Sequence, residues 1–299
     1  MQPPSRTSRL ARSVSAYISL GRPKQQVKNL LVFAPLVFSY SLGIPERILA
    51  SLLAFVSFCL ISASVYAVND AIDRDWDRIH PIKRQRPVAS GEATRAGAIA
   101  YSACLAFVGL ALAYAVSPSF LALAALYLVL VTAYSLYLKH VPIADLLSIG
   151  LGFVLRILAG VAAVSAPFSP WITGATFFLS IFIISLKRKK EISLMPGDAQ
   201  QTTRKVLGSY TRSSLEAISN VSLGAAVLIY ALYAFFETGK PLFCLTLVPM
   251  LYVIWRFKRS ADDPGLGLDD PTDIIFQDSR LLFGIGAFVI LVLLSLYVV

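Results

Sequence analysis

Apolar runs near the ~20 residues that a helix needs to cross a bilayer recur from about residue 28 onward. They predict nine spans, at about 28–45, 49–69, 97–116, 119–138, 143–165, 169–187, 216–236, 240–257 and 280–298. Most connections between them are tight and marked by Pro or Gly, as at Ser117-Pro118 and Ala166-Pro167. Three polar stretches are longer, at about 70–96, 188–215 and 258–279. The expected fold is all-α, a membrane bundle of about nine transmembrane helices. A basic interfacial segment, 1–27, precedes a single integral membrane domain, 28–299, that would carry any catalysis.

Composition agrees with the pattern. Of 299 residues 57% are hydrophobic and 15% charged, against about a quarter charged in an ordinary soluble domain. Mean hydropathy is +0.69. A soluble enzyme is excluded, and so is a lone anchor carrying one soluble catalytic domain, since no polar stretch is long enough. Cys59, Cys104 and Cys244 all lie in apolar runs and have no ligand-like spacing, so neither a disulfide framework nor a metal knuckle is expected. The polar, basic start leads into further spans, so a cleavable leader is not expected either.

The net charge of +10 does not imply nucleic acid, because the basic residues sit in short segments between spans. With a cytoplasmic N-terminus, every Lys and Arg except Arg47, Lys240 and Arg156 falls inside. That asymmetry predicts a bacterial cytoplasmic (inner) membrane protein, N-terminus in and C-terminus out. All three long polar stretches then share the cytoplasmic face, where chemistry or partner docking belongs.

The first of these stretches opens on Asn69-Asp70-Ala71-Ile72-Asp73-Arg74-Asp75-Trp76-Asp77. On one continuous helix Asn69, Asp70, Asp73 and Asp77 share a face, and Asp75 points away. Clustered carboxylates at a membrane boundary repel unless neutralised. Mg2+ takes hard oxygen ligands and bridges carboxylates to substrate phosphates, so a metal–phosphate site is expected here. The competing reading is a solvated acidic helix end balanced by Arg74 and Arg78. Directly downstream Lys83, Arg84 and Arg86 lie between Pro81 and Pro87. They form a stiff basic loop suited to an anionic substrate, or a plain cytoplasmic anchor. His80 reads as structural.

At these residues the chain resembles the UbiA superfamily of intramembrane prenyltransferases, and within it the decaprenyl-phosphate phosphoribosyltransferase branch. The likeness is carried by Arg22-Pro23-Lys24-Gln25 with Lys28-Asn29, and by His80-Pro81 through Arg86-Pro87. Gly152-Phe153-Val154-Leu155-Arg156 and Lys187-Arg188-Lys189-Lys190-Glu191 extend it. The resemblance runs from residue 21 across essentially the whole chain. It implies a nine-helix bundle with Asp70, Asp73 and Asp77 catalytic, and with Asn69 beside them holding Mg2+.

Aromatic prenyltransferases of the superfamily carry a second Asp-rich motif after the sixth span, and here that place is basic. The resemblance therefore implies transfer of 5-phosphoribosyl from 5-phosphoribosyl 1-diphosphate to a polyprenyl (decaprenyl-type) phosphate. The product would feed cell-envelope arabinan precursors. Prenyl transfer from a polyprenyl diphosphate to an aromatic acceptor, for quinone or haem synthesis, is the alternative. A lipid-phosphate transporter fits less well, because Arg156 and scattered glycines are the sole mid-membrane irregularities.

The remaining candidates concern substrate binding. Arg156 lies about eleven residues into its span, where a charge costs about 2.5–3.5 kcal/mol on insertion scales. It calls for an anionic substrate or an acidic partner on another helix. Asp145 opens the same span and could orient a basic residue or meet ribose hydroxyls. Lys24 and Lys28 are placed for a lipid phosphate, or for anionic lipid generally. Lys139, Lys187, Arg188, Lys190 and Glu191 complete the set, with Tyr134 weaker. Arg204, Lys205, Tyr210 and Arg212 resemble family positions. Asp269, Asp270, Asp273 and Asp278 read as capping or solvated.

Overall fold

The computed structural model describes residues 14–79, 83–194, 205–263 and 271–298. His80, Asp198, Arg204, Asp269 and Asp270 lie outside them, as do Arg6, Arg9 and Arg12.

The described residues contain eight helices long and apolar enough to cross a membrane. They are built on α1 (Pro45–Ile72), α2 (Arg95–Val116), α3 (Pro118–Leu136) and α4 (Ala144–Val164), followed by α5 (Pro170–Leu194), α6 (Arg212–Leu232), α7 (Leu247–Ala261) and α8 (Ser279–Tyr297). Local chemistry sets their starts. Pro stands in the first turn of α1 and α3, where its missing N–H costs nothing. Thr94, Ser117 and Asp278 accept first-turn N–H groups of α2, α3 and α8. Thr211 and Ser214 cap α6 reciprocally.

The predicted first span is not a continuous α-helix. A 3-10 segment, Pro23–Phe33, runs into a short helix, Ala34–Phe38. Pro35 has no N–H to give the preceding turn, so regular α-helical bonding cannot run through this point. Eleven 3-10 residues at ~2.0 Å and five α residues at ~1.5 Å still cover roughly 30 Å, the hydrocarbon thickness. The ninth crossing is thus made on fewer residues than a regular helix needs, and it begins at Pro23, ahead of the expected residue 28.

α1 and α4 are the most enclosed spans, with half of their apolar windows buried. Around them Phe58, Ile61, Phe120, Tyr127, Leu155 and Ala159 build one core. Phe182, Leu186, Ile254, Phe257 and Leu281 join α5, α7 and α8 in a second. Lipid tails are as apolar as Leu, so interhelical hydrogen bonds and close backbone contact do much of the joining. The Ser57 hydroxyl donates to the Gly109 carbonyl at 2.7 Å, and Ser102 to the Ser64 carbonyl at 2.8 Å. The three cysteines are free, and Cys104 of α2 is exposed.

Two positions show how tightly the 3-10 segment is seated. A Cβ on Gly160 of α4 would collide with the Val32 carbonyl and sit 3.0 Å from the Pro35 ring, whereas one on Gly286 of α8 would meet open space. Gly160→Ala is therefore expected to cost about 1–3 kcal/mol, read as a lower thermal midpoint of the detergent-solubilised protein. Gly286→Ala should leave that midpoint almost unmoved. Equal effects would show that α4 does not hold the 3-10 segment this closely.

Candidate active site

The acidic motif straddles a break. α1 stops at Ile72, Asp73 is its C-cap, and a separate short helix, Arg74–Ile79, begins at once. The chain bends at Asp73, yet the Asp73 N–H still bonds to the Asn69 carbonyl and the Asp77 N–H to the Asp73 carbonyl, both at 2.8 Å. Asp70 and Asp77 face one point, since a single Arg86 nitrogen lies 3.4 and 2.8 Å from them. Among the described residues no three His, Cys, Asp or Glu side chains converge as a metal-binding group.

The carboxylates are paired with cations from other elements. The Arg22 guanidinium donates to Asp70 at 2.5 Å. Arg86 donates to Asp77 at 2.8 Å and lies 3.4 Å from Asp70. Lys139 reaches both Asp73 oxygens, at 3.0 and 3.3 Å. Arg74 and Arg78, the expected local counter-charges, are not the partners: Arg78 donates to the Ala89 carbonyl and Arg74 Nε is buried without one. Burial pushes the Asp77 carboxyl up, against the pull of Arg86 and Lys83. Asn69 contributes a buried Oδ1 with no hydrogen-bond partner.

Positions around these pairs are unevenly used. Lys24 and Arg84 are exposed, while Lys28 and Lys83 are half-buried. Arg22 itself sits in the left-handed region (φ 47°) before Pro23, a costly conformation for a residue that has a Cβ. Its guanidinium lies over the Tyr66 ring, 4.9 Å from the centroid.

A second network joins α3, α4, α5 and the segment before α6. Asp145 and Arg188 are fully buried and meet at 3.1 Å. Arg188 also donates to Glu191 at 2.6 Å and to the Tyr134 hydroxyl at 3.1 Å. Tyr210 donates to the other Asp145 oxygen at 2.6 Å and accepts from the Ile143 N–H at 2.6 Å. Burial and that bond to Asp145 push the Tyr210 phenol up to about 12, so it stays a neutral donor at pH 7. Ile143, β-branched yet at φ 68°, is the second strained residue at this end of the bundle. The end of α3 reaches both networks, through Tyr134 and through Lys139 just beyond it.

The basic run at the end of α5 does not act as one patch, because helical neighbours point ~100° apart. Arg188 turns inward. Lys189 stands 3.5 Å from Glu216 and 3.7 Å from Asp262. Lys190 donates to the Asp263 carbonyl, and Lys187 lines a narrow crevice with Phe257 and Ile274.

Arg156 is buried in mid-span with no carboxylate partner. It donates to Asn29 Oδ1 at 2.8 Å, the Gly152 carbonyl at 2.8 Å and the Tyr127 hydroxyl at 2.7 Å, with Phe153 alongside. Of the two readings left open by the sequence, an acidic partner on another helix is ruled out among the described residues.

Sequence reasoning did not single out Arg22, Asn29 or Tyr127 as site residues, and it named Tyr210 only as resembling a family position. Arg22 and Asn29 stood inside a quoted basic motif, but pairing across 48 and 127 positions has no local signature.

Comparison with known proteins then supplies context. Residues 30–267 match the model of the UbiA prenyltransferase family. The decaprenyl-phosphate phosphoribosyltransferase of Mycolicibacterium smegmatis is 31% identical over 90% of this chain and 88% of its own length. The protein of the same description from Mycobacterium tuberculosis is 32% identical over 91% of both. Among solved structures, a UbiA homolog from Archaeoglobus fulgidus bound to GPP and Mg2+ shares the fold. It superposes with a TM-score of 0.70 at 20% identity, covering 94% of this chain and 99% of that one.

The buried ion pair gives a stability test. Arg188→Met strips Asp145 of its counter-ion and is expected to cost about 3–5 kcal/mol. Lys189→Met, whose partners are exposed, should cost less than about 1 kcal/mol. Thermal unfolding in detergent separates the two, and similar midpoints would contradict the Asp145–Arg188 assignment.

Proposed function

The chain belongs to the UbiA prenyltransferase family, and on that premise we propose that it transfers 5-phosphoribosyl from 5-phosphoribosyl 1-diphosphate to a polyprenyl phosphate of the decaprenyl type, releasing diphosphate. The relatives described as decaprenyl-phosphate phosphoribosyltransferases, aligned over about nine-tenths of the chain, support this substrate pair. The observation that carries it is the acid–base head at the end of α1. Three carboxylates are there matched by Arg22, Arg86 and Lys139, with an unpartnered Asn69 oxygen among them. Such a head suits a ligand that brings several phosphate charges together with a divalent cation.

Mg2+ fits the donor set. The Asn69, Asp70, Asp73 and Asp77 oxygens are the hard ligands it takes, and the buried Asn69 Oδ1 lacks any other partner. These four residues would hold it. When bound, Mg2+ supplies neutralisation for charge gathering on a leaving diphosphate.

The chain's own residues account for the rest. Arg22, Arg86 and Lys139 are released from the carboxylates as the ligand arrives and then pair with phosphate oxygens of the donor. Lys83 and Lys28 lie half-buried beside them and add positive potential. The bond between ribose C1 and the diphosphate oxygen breaks with its electron pair leaving on diphosphate, and an oxygen of the acceptor phosphate bonds to C1. The acceptor is already an anion at neutral pH, so no residue must remove a proton, and no catalytic His is needed. The Asp145–Arg188–Tyr134–Tyr210 network fixes the ends of α3, α4 and α5 around this head. Arg156, buried with only neutral partners, adds uncompensated positive charge on the bilayer side, where a phosphate headgroup would meet it.

In this reading the N-terminus and the site face the cytoplasm of a bacterial inner membrane, residues 28–299 act as the catalytic domain, and the product supplies envelope arabinan synthesis. Prenyl transfer to an aromatic acceptor is disfavoured, since the end of α5 offers Arg188 and lysines where a second acidic set would stand.

Asp73 is half-exposed, so its removal should spare the fold. Purified Asp73→Ala, given Mg2+, polyprenyl phosphate and 5-phosphoribosyl 1-diphosphate, is expected to lose at least about 100-fold in diphosphate release. Its thermal midpoint should stay near wild type. Chelation of Mg2+ should silence the wild-type protein likewise. Near-normal turnover by Asp73→Ala would show that the acidic head is not the reacting site.

A further inference from the structure

A polar cavity lined by none of the acidic-head residues lies where α7 ends and α8 begins. It is an open cavity of about 370 Å3 lined by Arg256, Arg259, Ser260, Asp263, Asp278 and Arg280, among others. Asp278 is spoken for: it takes hydrogen bonds from Arg256 at 2.6 Å and Ser260 at 2.7 Å, and it caps α8 through the Arg280 and Leu281 N–H groups. Arg259 and Arg280 are exposed, and neither guanidinium makes an ion pair or side-chain hydrogen bond among the described residues. Three arginines thus line the cavity against two carboxylates, Asp263 and the already engaged Asp278, which leaves it net positive.

What lies beside the cavity identifies the occupant. Trp255 is exposed and packs against Tyr252, while Arg259 lies 5.6 Å from the Trp255 ring. An aromatic pair beside arginines marks the headgroup level of a bilayer. Farther along the same two helices Val248, Leu251, Leu282 and Phe283 are exposed, an apolar surface that meets acyl chains. Gly284 lets α8 approach the Tyr252 ring so closely that a Cβ would come within 2.8 Å, and this closes the groove beneath the cavity. Lys190 bonds to the Asp263 carbonyl, so the cavity stands at the same end of the bundle as the basic run of α5.

We infer that this cavity binds the headgroup of an anionic glycerophospholipid from the surrounding leaflet. Its phosphate oxygens pair with Arg259 and Arg280, and its acyl chains lie along the exposed apolar faces of α7 and α8. Basic pockets between spanning helices are a recurrent solution for such lipids, and guanidinium matches a phosphodiester better than a lysine point charge does. A soluble phosphate would use the arginines but gain nothing from the aromatic pair and the apolar faces.

The test uses the full chain purified in detergent, with lipid retention read by native mass spectrometry and stability by thermal midpoint. Phosphatidylglycerol is expected to be retained and to raise the midpoint, with phosphatidylcholine retained at least about 10-fold less. The double variant Arg259→Gln/Arg280→Gln should lose at least about 10-fold of the phosphatidylglycerol retention while keeping its lipid-free midpoint. Arg259→Lys/Arg280→Lys, which keeps the charges, should retain most of it. Inorganic phosphate alone should not move the midpoint. Equal retention of the two lipids, wild-type retention by the glutamine variant, or a phosphate shift matching that of phosphatidylglycerol would each overturn the inference.

Discussion

Asp145 and Arg188 are buried together where α4 begins and α5 ends, and the architecture of this end of the bundle follows from keeping that pair satisfied. Removing two such charges from water costs several kcal/mol per ion, and only close geometry with further hydrogen bonds offsets it. Tyr134 from α3, Tyr210 from the segment before α6 and Glu191 from α5 itself complete the set. Four parts of the chain must therefore converge on one point. The same rule operates nearby, where Asp70 and Asp73 draw cations from 48 and 66 positions away and Asp77 draws Arg86 from the loop just downstream. A bundle whose helices meet lipid over most of their length is fixed at its polar end by charge pairing.

This division explains what the chain discloses before it folds. Span positions follow from hydropathy alone, and eight of the nine predicted runs are transmembrane-length helices. The exception turned on Pro35: hydropathy registers an apolar run but not the missing N–H that ends regular α-helical bonding. The acidic motif was legible as chemistry, but not the bend at Asp73, which no proline or glycine announces. Pairings such as Arg22 with Asp70 stayed hidden for another reason. Residues far apart in sequence find each other through packing, and no spacing rule encodes that. Arg156 was half legible. Its cost in the membrane demanded a partner or ligand, and the fold shows neutral acceptors around it.

The family frames the fold, and the end of α5 is basic. In the proposed reaction, an alternating arrangement of acids and bases at one end of the bundle would trade internal ion pairs for a phosphorylated donor and its cation. The pairs balance the carboxylates, and on this proposal their cations already stand where phosphate would bind.

The most direct measurement follows the ribose ring. Purified protein in Mg2+ is given polyprenyl phosphate and 5-phosphoribosyl 1-diphosphate labelled in the ring carbons, and the organic-extractable lipid is counted. Label in the lipid phase, dependent on both substrates, is the expected result. Label remaining in the aqueous phase, with activity instead from a prenyl diphosphate and an aromatic acceptor, would contradict phosphoribosyl transfer and reassign the acidic head to prenyl chemistry.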